Sequence, residues 1–291
     1  FCLGNRIEAT DYLKKALEQA RQTGDSMLIA GVLNNLGNLR SANRDYQSAL
    51  KAYREPLLSL GISENESSLK SKILLNMART EVAKEDDERA LVTLKQAAAV
   101  IERQAETYDK AADLITLSML GLRISVPGAE DWLKQAVRIG EKIENSRMIA
   151  YAYGCLGQYY EEAERYADAM RMTRKAIFFA TQEYAPEILY RWQQQLGRLF
   201  GKQGDIRRAI DAYQNAVATL DPIRTEFFAG FRGKKNAFDK DVRPVYTELA
   251  ELLLRMADTS DTSQTLVRAA WDTMEFLKKA ELENFFRDEC L

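Results

Sequence analysis

Clusters of acidic residues are the first candidates for chemistry in this chain. Carboxylates are adjacent in Glu85-Asp86-Asp87-Glu88 and in Glu161-Glu162, and two nearby carboxylates can serve as a general acid and a general base. Acidic residues are also stabilised at the N-termini of helices by the positive end of the helix dipole. We interpret both clusters as helix-start and turn residues, so the sequence gives no support for glycosidase-type chemistry.

Histidine is absent from all 291 residues, and the three cysteines are widely separated. This composition excludes Ser/His and Cys/His pairs, histidine general bases and histidine-containing zinc sites within the chain. Cys2, Cys155 and Cys290 form no close pair of the kind that metal sites use. We interpret Cys155 as a small buried side chain rather than a reactive thiol. We therefore predict no catalytic residue, cofactor or metal, and no enzyme activity.

The charge balance gives no field that would draw the chain to a polyanion. There are 41 basic and 43 acidic side chains, for a net charge of −2. A short basic run, Arg232-Gly233-Lys234-Lys235, is interpreted as a solvated loop because four residues are too few for a phosphate-tracking stripe. No apolar run approaches the roughly 20 residues of a membrane span. We expect a soluble, cytoplasmic protein without a nucleic-acid partner, and a chain that begins at Phe1 suggests a larger parent protein.

Alanine recurs in this chain with a regular spacing. This spacing indicates which structural elements carry the residues described above. The steps between successive alanines are 40, 41, 39, 40 and 40 residues. The alanines are Ala9, Ala49, Ala90, Ala129, Ala169 and Ala209. A fixed period near 40 is typical of a solenoid of helical hairpins, which presents an extended binding surface.

Each period contains two amphipathic helical patterns around a short polar break. In the clearest unit, apolar residues recur three and four apart in 33–39 and again in 46–53, and Asp45 is placed to cap the second helix. A Leu-Gly pair precedes the break, as in Leu36-Gly37, and the pattern returns near Gly157 and Gly197. These motifs resemble tetratricopeptide (TPR) repeats. The resemblance implies an all-α, right-handed superhelical solenoid of about six TPR-like hairpins over residues 1–220.

Three parts of the array depart from this pattern. The first unit shows only its second helix, over 7–23, and the fourth has no Leu-Gly pair in phase before Val126-Pro127-Gly128. Pro56 lies where other units have alanine, so we expect it to kink the helix or end it early. Small residues such as Ala49 and Ala209 are expected to let the helices approach closely.

The repeat stops after Ala216, and a different helical segment is predicted over 221–291. We expect Asp221-Pro222 to start a new helix, followed by helices near 245–257, 264–279 and 281–287. The phenylalanines of this segment are interpreted mainly as core residues that seal the solenoid, rather than as a docking patch. They are Phe227, Phe228, Phe231 and Phe238. The string Leu277 to Asp288 is similar to the segment that joins TPR arrays to CHAT domains, the caspase-like peptidases. That resemblance implies a peptidase domain in cis, C-terminal to this chain, and carries over no catalytic residue.

The TPR resemblance also implies which residues line the concave face of the array. They are first-helix residues that packing does not use, namely Asn34, Asn38, Asn76, Arg79, Tyr151, Gln158, Gln194 and Arg198. Amide side chains can pair with the backbone of an extended peptide, and arginines can recognise carboxylates. The alternative is that each is simply a solvated polar residue. Because asparagine occupies both positions in the second unit, we favour an internal or extended peptide over a C-terminal carboxylate.

The sequence thus predicts a non-catalytic protein-interaction module that binds a peptide or partner protein and regulates a TPR-CHAT protease. Two other interpretations stay open. One is a stand-alone scaffold or oligomerisation module, and the other is a peptide-sensing regulator that acts on nucleic acid, although no helix-turn-helix accompanies the repeats.

Overall fold

The computed structural model describes residues 6–229, 238, 240–258 and 263–289, with side chains described over 8–223, 238, 240–258 and 263–282. Several sequence predictions lie outside these residues: those on Cys2, Cys290, Phe231, the side chains of Phe227 and Phe228, and the basic run 232–235. Within the described ranges every regular element is an α-helix. The all-α fold class is therefore confirmed.

The chain divides into two compact units, Asn5–Cys155 and Leu156–Leu291. The helices of the first unit are α1 (Arg6–Thr23), α2 (Ser26–Ala42), α3 (Tyr46–Leu57), α4 (Glu64–Ala83), α5 (Asp87–Glu102), α6 (Tyr108–Arg123) and α7 (Ala129–Lys142), and α8 (Ser146–Glu162) crosses the division. The second unit continues with α9 (Tyr166–Gln182), α10 (Pro186–Lys202), α11 (Ile206–Ala229), α12 (Arg243–Ala257) and α13 (Ser263–Glu289). The separate expectation of an array over 1–220 and a C-terminal segment over 221–291 stays a prediction.

Helices pair in sequence order as hairpins, and neighbouring hairpins stack. In the first unit α2 packs on α3, α4 on α5 and α6 on α7, while α4 contacts both α2 and α6. In the second unit α10 packs on α11 and α12 on α13. The first helices of successive hairpins thus lie side by side in the first unit, so their uncommitted side chains share one face.

The alanine period corresponds to a fixed position in the second helix of a hairpin. Ala49, Ala90, Ala169 and Ala209 are each the fourth residue of their helix, and none has any exposed surface. Ala129 does not follow this rule, because it is the first residue of α7 after a five-residue connection, 124–128. In that hairpin Gly121 makes the close approach instead, since a Cβ there would lie 3.3 Å from the Trp132 ring.

The turns within hairpins share one backbone geometry. A residue with positive φ precedes the next helix at Arg44, Glu85, Ser125, Glu164 and Gly204. The following amide donates back to the end of the first helix, as from Asp45 N to the Arg40 carbonyl over 2.9 Å. Such a left-handed residue closes a helix C-terminus most readily when it is glycine. Asp45 then caps α3 by accepting from Ser48 N at 3.2 Å, as predicted.

The glycines of two leucine-glycine pairs are explained by aromatic rings on the second helix, whereas a Cβ on Gly157 would instead lie 2.5 Å from Gln195 Nε2 and 2.7 Å from Thr173 Oγ1. A Cβ on Gly37 would lie 2.4 Å from the Tyr53 ring, and one on Gly197 would lie 2.5 Å from the Tyr213 ring. Both tyrosines are almost completely buried. Because real Cβ atoms do not approach this closely, glycine is required where the two helices clamp the ring.

Two predictions about helix ends are confirmed and two are wrong. The first repeat is predicted to show only its second helix, and this helix is α1. Helix α3 ends at Leu57, one residue after Pro56. By contrast, Asp221 and Pro222 do not start a new helix, because α11 continues through them to Ala229. There Leu220 is fully buried and the Tyr246 hydroxyl donates to the Asp221 carboxylate. These tertiary contacts outweigh the low helix propensity of the proline.

The second wrong prediction concerns the end of the chain. The two helices expected near 264–279 and 281–287 are one continuous helix, α13. The intervening Lys279-Ala280-Glu281 consists of good helix formers, so nothing in the local sequence stops the helix. Phe238, the one described member of the phenylalanine set, is buried in a core cluster with Tyr190, Leu220 and Tyr246, as expected for a core residue.

Candidate functional site

The eight residues expected on the binding face all lie on first helices of hairpins. Asn34 and Asn38 lie on α2, Asn76 and Arg79 on α4, Tyr151 and Gln158 on α8, and Gln194 and Arg198 on α10. Arg79 is exposed and the other seven are half-buried. Tyr151 belongs to the first unit, whereas Gln158, Gln194 and Arg198 belong to the second.

In the first unit the structure joins three of these residues in a chain of hydrogen bonds. Asn76 Nδ2 donates to Asn34 Oδ1 at 2.9 Å, across the junction between α4 and α2. Arg79 Nη1 donates to Asn76 Oδ1, also at 2.9 Å. Asn38 is held separately, because the Tyr53 hydroxyl donates to its Oδ1 at 2.8 Å. Side-chain hydrogen bonds within the first unit therefore fix the orientation of all three asparagines.

These contacts use the side-chain oxygens of the asparagines as acceptors and leave several side-chain N–H donors unused. The side-chain oxygens of Asn34, Asn38 and Asn76 each accept a bond from within the first unit. Within the described part of the chain, Asn34 Nδ2, Asn38 Nδ2 and Arg79 Nη2 have no hydrogen-bonding partner. An amide nitrogen carries two hydrogens and a guanidinium five. We call this donor-rich group, Asn34, Asn38, Asn76 and Arg79, the donor face.

A second polar cluster of the first unit joins α4 to α6. Ser71 Oγ donates to Asp113 Oδ2 at 2.5 Å, and Gln104 Nε2 donates to Ser71 Oγ at 2.9 Å. Asp113 is buried, and burial raises the pKa of its carboxyl to about 6 although the Ser71 hydrogen bond acts in the opposite direction. The positive charge of Lys72 also acts to lower the pKa of the Asp113 carboxyl. The Lys72 ammonium group itself forms an ion pair with Asp109, at 2.8 Å.

In the second unit every predicted side chain is paired with a carboxylate. Arg198 Nε and Nη2 donate to the two oxygens of Glu161, both at 3.0 Å. Gln194 Nε2 donates to Glu248 Oε2 at 3.1 Å, and Gln158 Nε2 donates to Glu162 Oε1 at 3.1 Å. The Tyr213 hydroxyl also donates to Glu248. We call Glu161, Gln194, Arg198, Tyr213 and Glu248 the paired cluster.

The electrostatics of the paired cluster follow from burial beside opposite charge. Burial by itself would lower the pKa of Arg198, but the hydrogen bonds and charge of Glu161 outweigh it and the pKa is raised. Burial, followed by the Glu248 carboxylate, raises the pKa of Tyr213. The arginine thus stays charged and the phenol stays protonated, so both remain hydrogen-bond donors.

The sequence prediction missed the acidic half of this cluster. Glu161 and Glu162 are interpreted in the sequence as helix-start and turn residues, but they lie at the C-terminal end of α8, and Glu248 is not singled out. A usable signal was present, because Glu161 on α8 and Arg198 on α10 lie 37 residues apart, close to one repeat period, and carry opposite charges. Cys155, by contrast, is buried, as its interpretation as a small core side chain requires.

The stacked helical hairpins define the class of fold, and comparison with solved structures supports it. The structure is similar to that of BtubC (BKLC) from P. vanneervenii, with a TM-score of 0.66 and 18% sequence identity over 75% of this chain and 92% of that one. It is also similar to a kinesin light chain with TPR-like repeats from Podosopora anserina, with a TM-score of 0.52 and 16% identity over 73% of this chain and 97% of that one.

A third similar structure is that of a Rap protein complexed with the Competence and Sporulation Factor. It has a TM-score of 0.55 and 15% identity over 93% of this chain and 81% of that one. No family model matches the sequence. No curated protein matches it either. At these identities the likeness shows the fold alone, which is a TPR-like helical solenoid.

None of the helices in the described ranges is long and apolar enough to cross a membrane.

Proposed function

We propose that this chain is a non-catalytic recognition module that binds an extended peptide or a partner protein along the first helices of its hairpins. The observation that carries the proposal is the donor face. Each of the three asparagine oxygens already accepts one bond within the fold, whereas several N–H donors beside them have no partner among the described residues, so the face offers more donors than acceptors. A surface of oriented donors suits a ligand rich in acceptors, which are the carbonyl oxygens of an extended backbone or acidic side chains.

The fixed orientation of the donor-face side chains favours a binding role over that of ordinary solvated surface residues. A side chain that is already held by Tyr53 or by a neighbouring asparagine loses little rotational freedom when a ligand arrives. Arg79 adds a charged donor, and its guanidinium can bond a carboxylate through two parallel N–H groups. The Rap structure named above was solved with a bound factor, which is consistent with ligand binding by a fold of this type.

The experiment is selection of a random-sequence 12-residue peptide library on the purified chain. We expect selected peptides to bind wild type, and the double variant N34A/N38A to bind them about thirtyfold more weakly, since each of the two lost hydrogen bonds contributes about 1 kcal/mol. The matched control is N35A, which removes an exposed asparagine on the same helix α2. Failure to select any peptide, or equal losses in N34A/N38A and N35A, would overturn the proposal.

We also propose that this recognition regulates a caspase-like peptidase domain in the parent protein, as a TPR-CHAT protease would. The support is the similarity of the string Leu277 to Asp288 to a CHAT linker, and the string lies within α13. The test is peptidase activity of the natural full-length protein with and without a selected peptide. Activity that does not change with peptide, or a parent chain without a His…Cys pair after Leu291, leaves the scaffold alternative.

A further inference from the structure

Over residues 263–282, whose side chains the structure describes, helix α13 carries two apolar faces, and the described part of the chain covers one of them. Ala270, Leu277 and Ala280 are buried against the rest of the second unit. Away from that face, Val267 is 46% exposed, Trp271 63% and Leu282 55%. An exposed tryptophan of this extent is unusual on a surface helix, and together the three side chains form a row rather than scattered contacts.

The row also contains a lysine, and its order along the helix is symmetric. At about 100° per residue, Val267, Trp271, Lys278 and Leu282 fall within about 60° of one another on the helix surface. Val267 and Leu282 lie at equal distances from the midpoint between Met274 and Glu275, and so do Trp271 and Lys278. We call these four residues the α13 row.

This symmetry makes the α13 row complementary to itself in one orientation only. If a second α13 lies antiparallel and shares the midpoint, Val267 meets Leu282 and Trp271 meets Lys278. Apolar groups then cover apolar groups, and an ammonium lies on an aromatic face, which is a favourable cation–π contact. Lys278 already lies 5.7 Å from the Trp271 ring centroid in the same helix, so this side chain has the reach that the contact needs.

We propose that the α13 row binds the same row of a second copy of this chain, with the two helices antiparallel. The seam extends over about 22 Å, since Val267 and Leu282 are 15 residues apart and the rise is about 1.5 Å per residue. A contact along about four helical turns buries less surface than the roughly 1,200 Å² of a stable interface. The dimer is therefore reversible, with dissociation in the micromolar range.

Light scattering on the whole chain across concentration tests the association. We expect the mass to rise from one copy toward two between about 5 and 500 μM. Trp271→Ser should keep the chain monomeric over this range. The matched control is Phe178→Ser on α9, which removes an aromatic side chain that is 57% exposed and should leave the association unchanged. A wild-type chain that stays monomeric, or equal effects of the two variants, overturns the proposal.

Disulfide formation tests the orientation. In a background with Cys2, Cys155 and Cys290 replaced, Val267→Cys combined with Leu282→Cys should form a covalent dimer on mild oxidation. Each single variant should not, because the two copies of one residue lie about 22 Å apart in the antiparallel pair. Cross-linking by the single variants, or none by the double variant, overturns the antiparallel register.

Discussion

The donor face of the first unit and the paired cluster of the second unit use the same side chains in opposite ways. Arg79 and Arg198 each lie on the first helix of a hairpin beside an amide residue. Among the described residues Arg79 bonds only the neutral Asn76, whereas Arg198 makes two bonds to Glu161. The difference arises because α8, the first helix of the preceding hairpin, supplies the Glu161 carboxylate at its junction with α10, whereas α2 supplies Asn34 at its junction with α4.

This comparison teaches that the position of a residue on the proposed binding face does not define its role. A guanidinium that a carboxylate already satisfies stabilises the junction between two helices and offers little to a ligand. A guanidinium held by an amide keeps its charge uncompensated and most of its donors open. We therefore expect substitutions in the paired cluster to change stability and substitutions in the donor face to change binding.

The largest effect is expected from Glu161→Ala. Removal of this carboxylate leaves the Arg198 guanidinium half-buried without its counter-ion, and such a loss costs several kcal/mol in a fully buried pair. Because the Arg198 side chain keeps 35% exposure, we expect a decrease of about 2 to 3 kcal/mol in the free energy of unfolding. Urea denaturation measures it. Glu162→Ala, one residue along on an exposed position, is the control and should change stability by less than about 0.5 kcal/mol.

Asp113→Asn should raise the free energy of unfolding, whereas Glu161→Ala lowers it, because the buried Asp113 carboxyl of the first unit has a hydroxyl partner rather than an arginine. Its folded-state pKa of about 6 exceeds the ordinary value of 3.8. The group therefore favours the folded state most at low pH, and this contribution is lost as the pH rises toward 6 and above. The variant should be about 1 to 3 kcal/mol more stable at pH 7.

Unfolding of wild type and Asp113→Asn between pH 4 and pH 7.5 is the measurement. Wild type should lose stability relative to the variant as the pH rises through 6. Asp109→Asn is the control, since Asp109 is exposed and paired with Lys72. Parallel pH profiles for wild type and Asp113→Asn would show that the buried carboxyl does not titrate differently in the folded state.

How far the sequence predicts these two surfaces depends on the range of the interactions. The positions of Ala49 and Gly37 follow from local period and volume, so the hairpins were predictable. The run of α11 through Pro222 depends on Leu220 and Tyr246, which meet only after folding. Likewise, the first-helix location of Asn34 and Arg198 was predictable, but their partners come from other helices, as with Asn76 and Glu161.

Arg79→Met is expected to affect ligand binding without affecting stability. Arg79 is exposed, and its one bond is to Asn76, so its loss should change the free energy of unfolding by less than about 0.5 kcal/mol. Binding of selected peptides should weaken about tenfold, the equivalent of about 1.4 kcal/mol. Arg138→Met, at an exposed position on α7, is the control for charge alone. If Arg79→Met destabilises the fold as much as Arg198→Met, the two arginines have the same role.

The smallest effect should come from exchanging turn residues between the two units. Arg44 has φ of 63° and Gly204 has φ of 79° at equivalent turn positions. A side chain in this left-handed conformation costs about 1 kcal/mol relative to glycine. Arg44→Gly should therefore raise the midpoint of thermal unfolding by about 2 to 4 °C and Gly204→Arg should lower it by a similar amount. No atom lies within 4 Å of a Cβ on Gly204, so its change reports the backbone alone. Shifts of the same sign would show that the two turns are not equivalent.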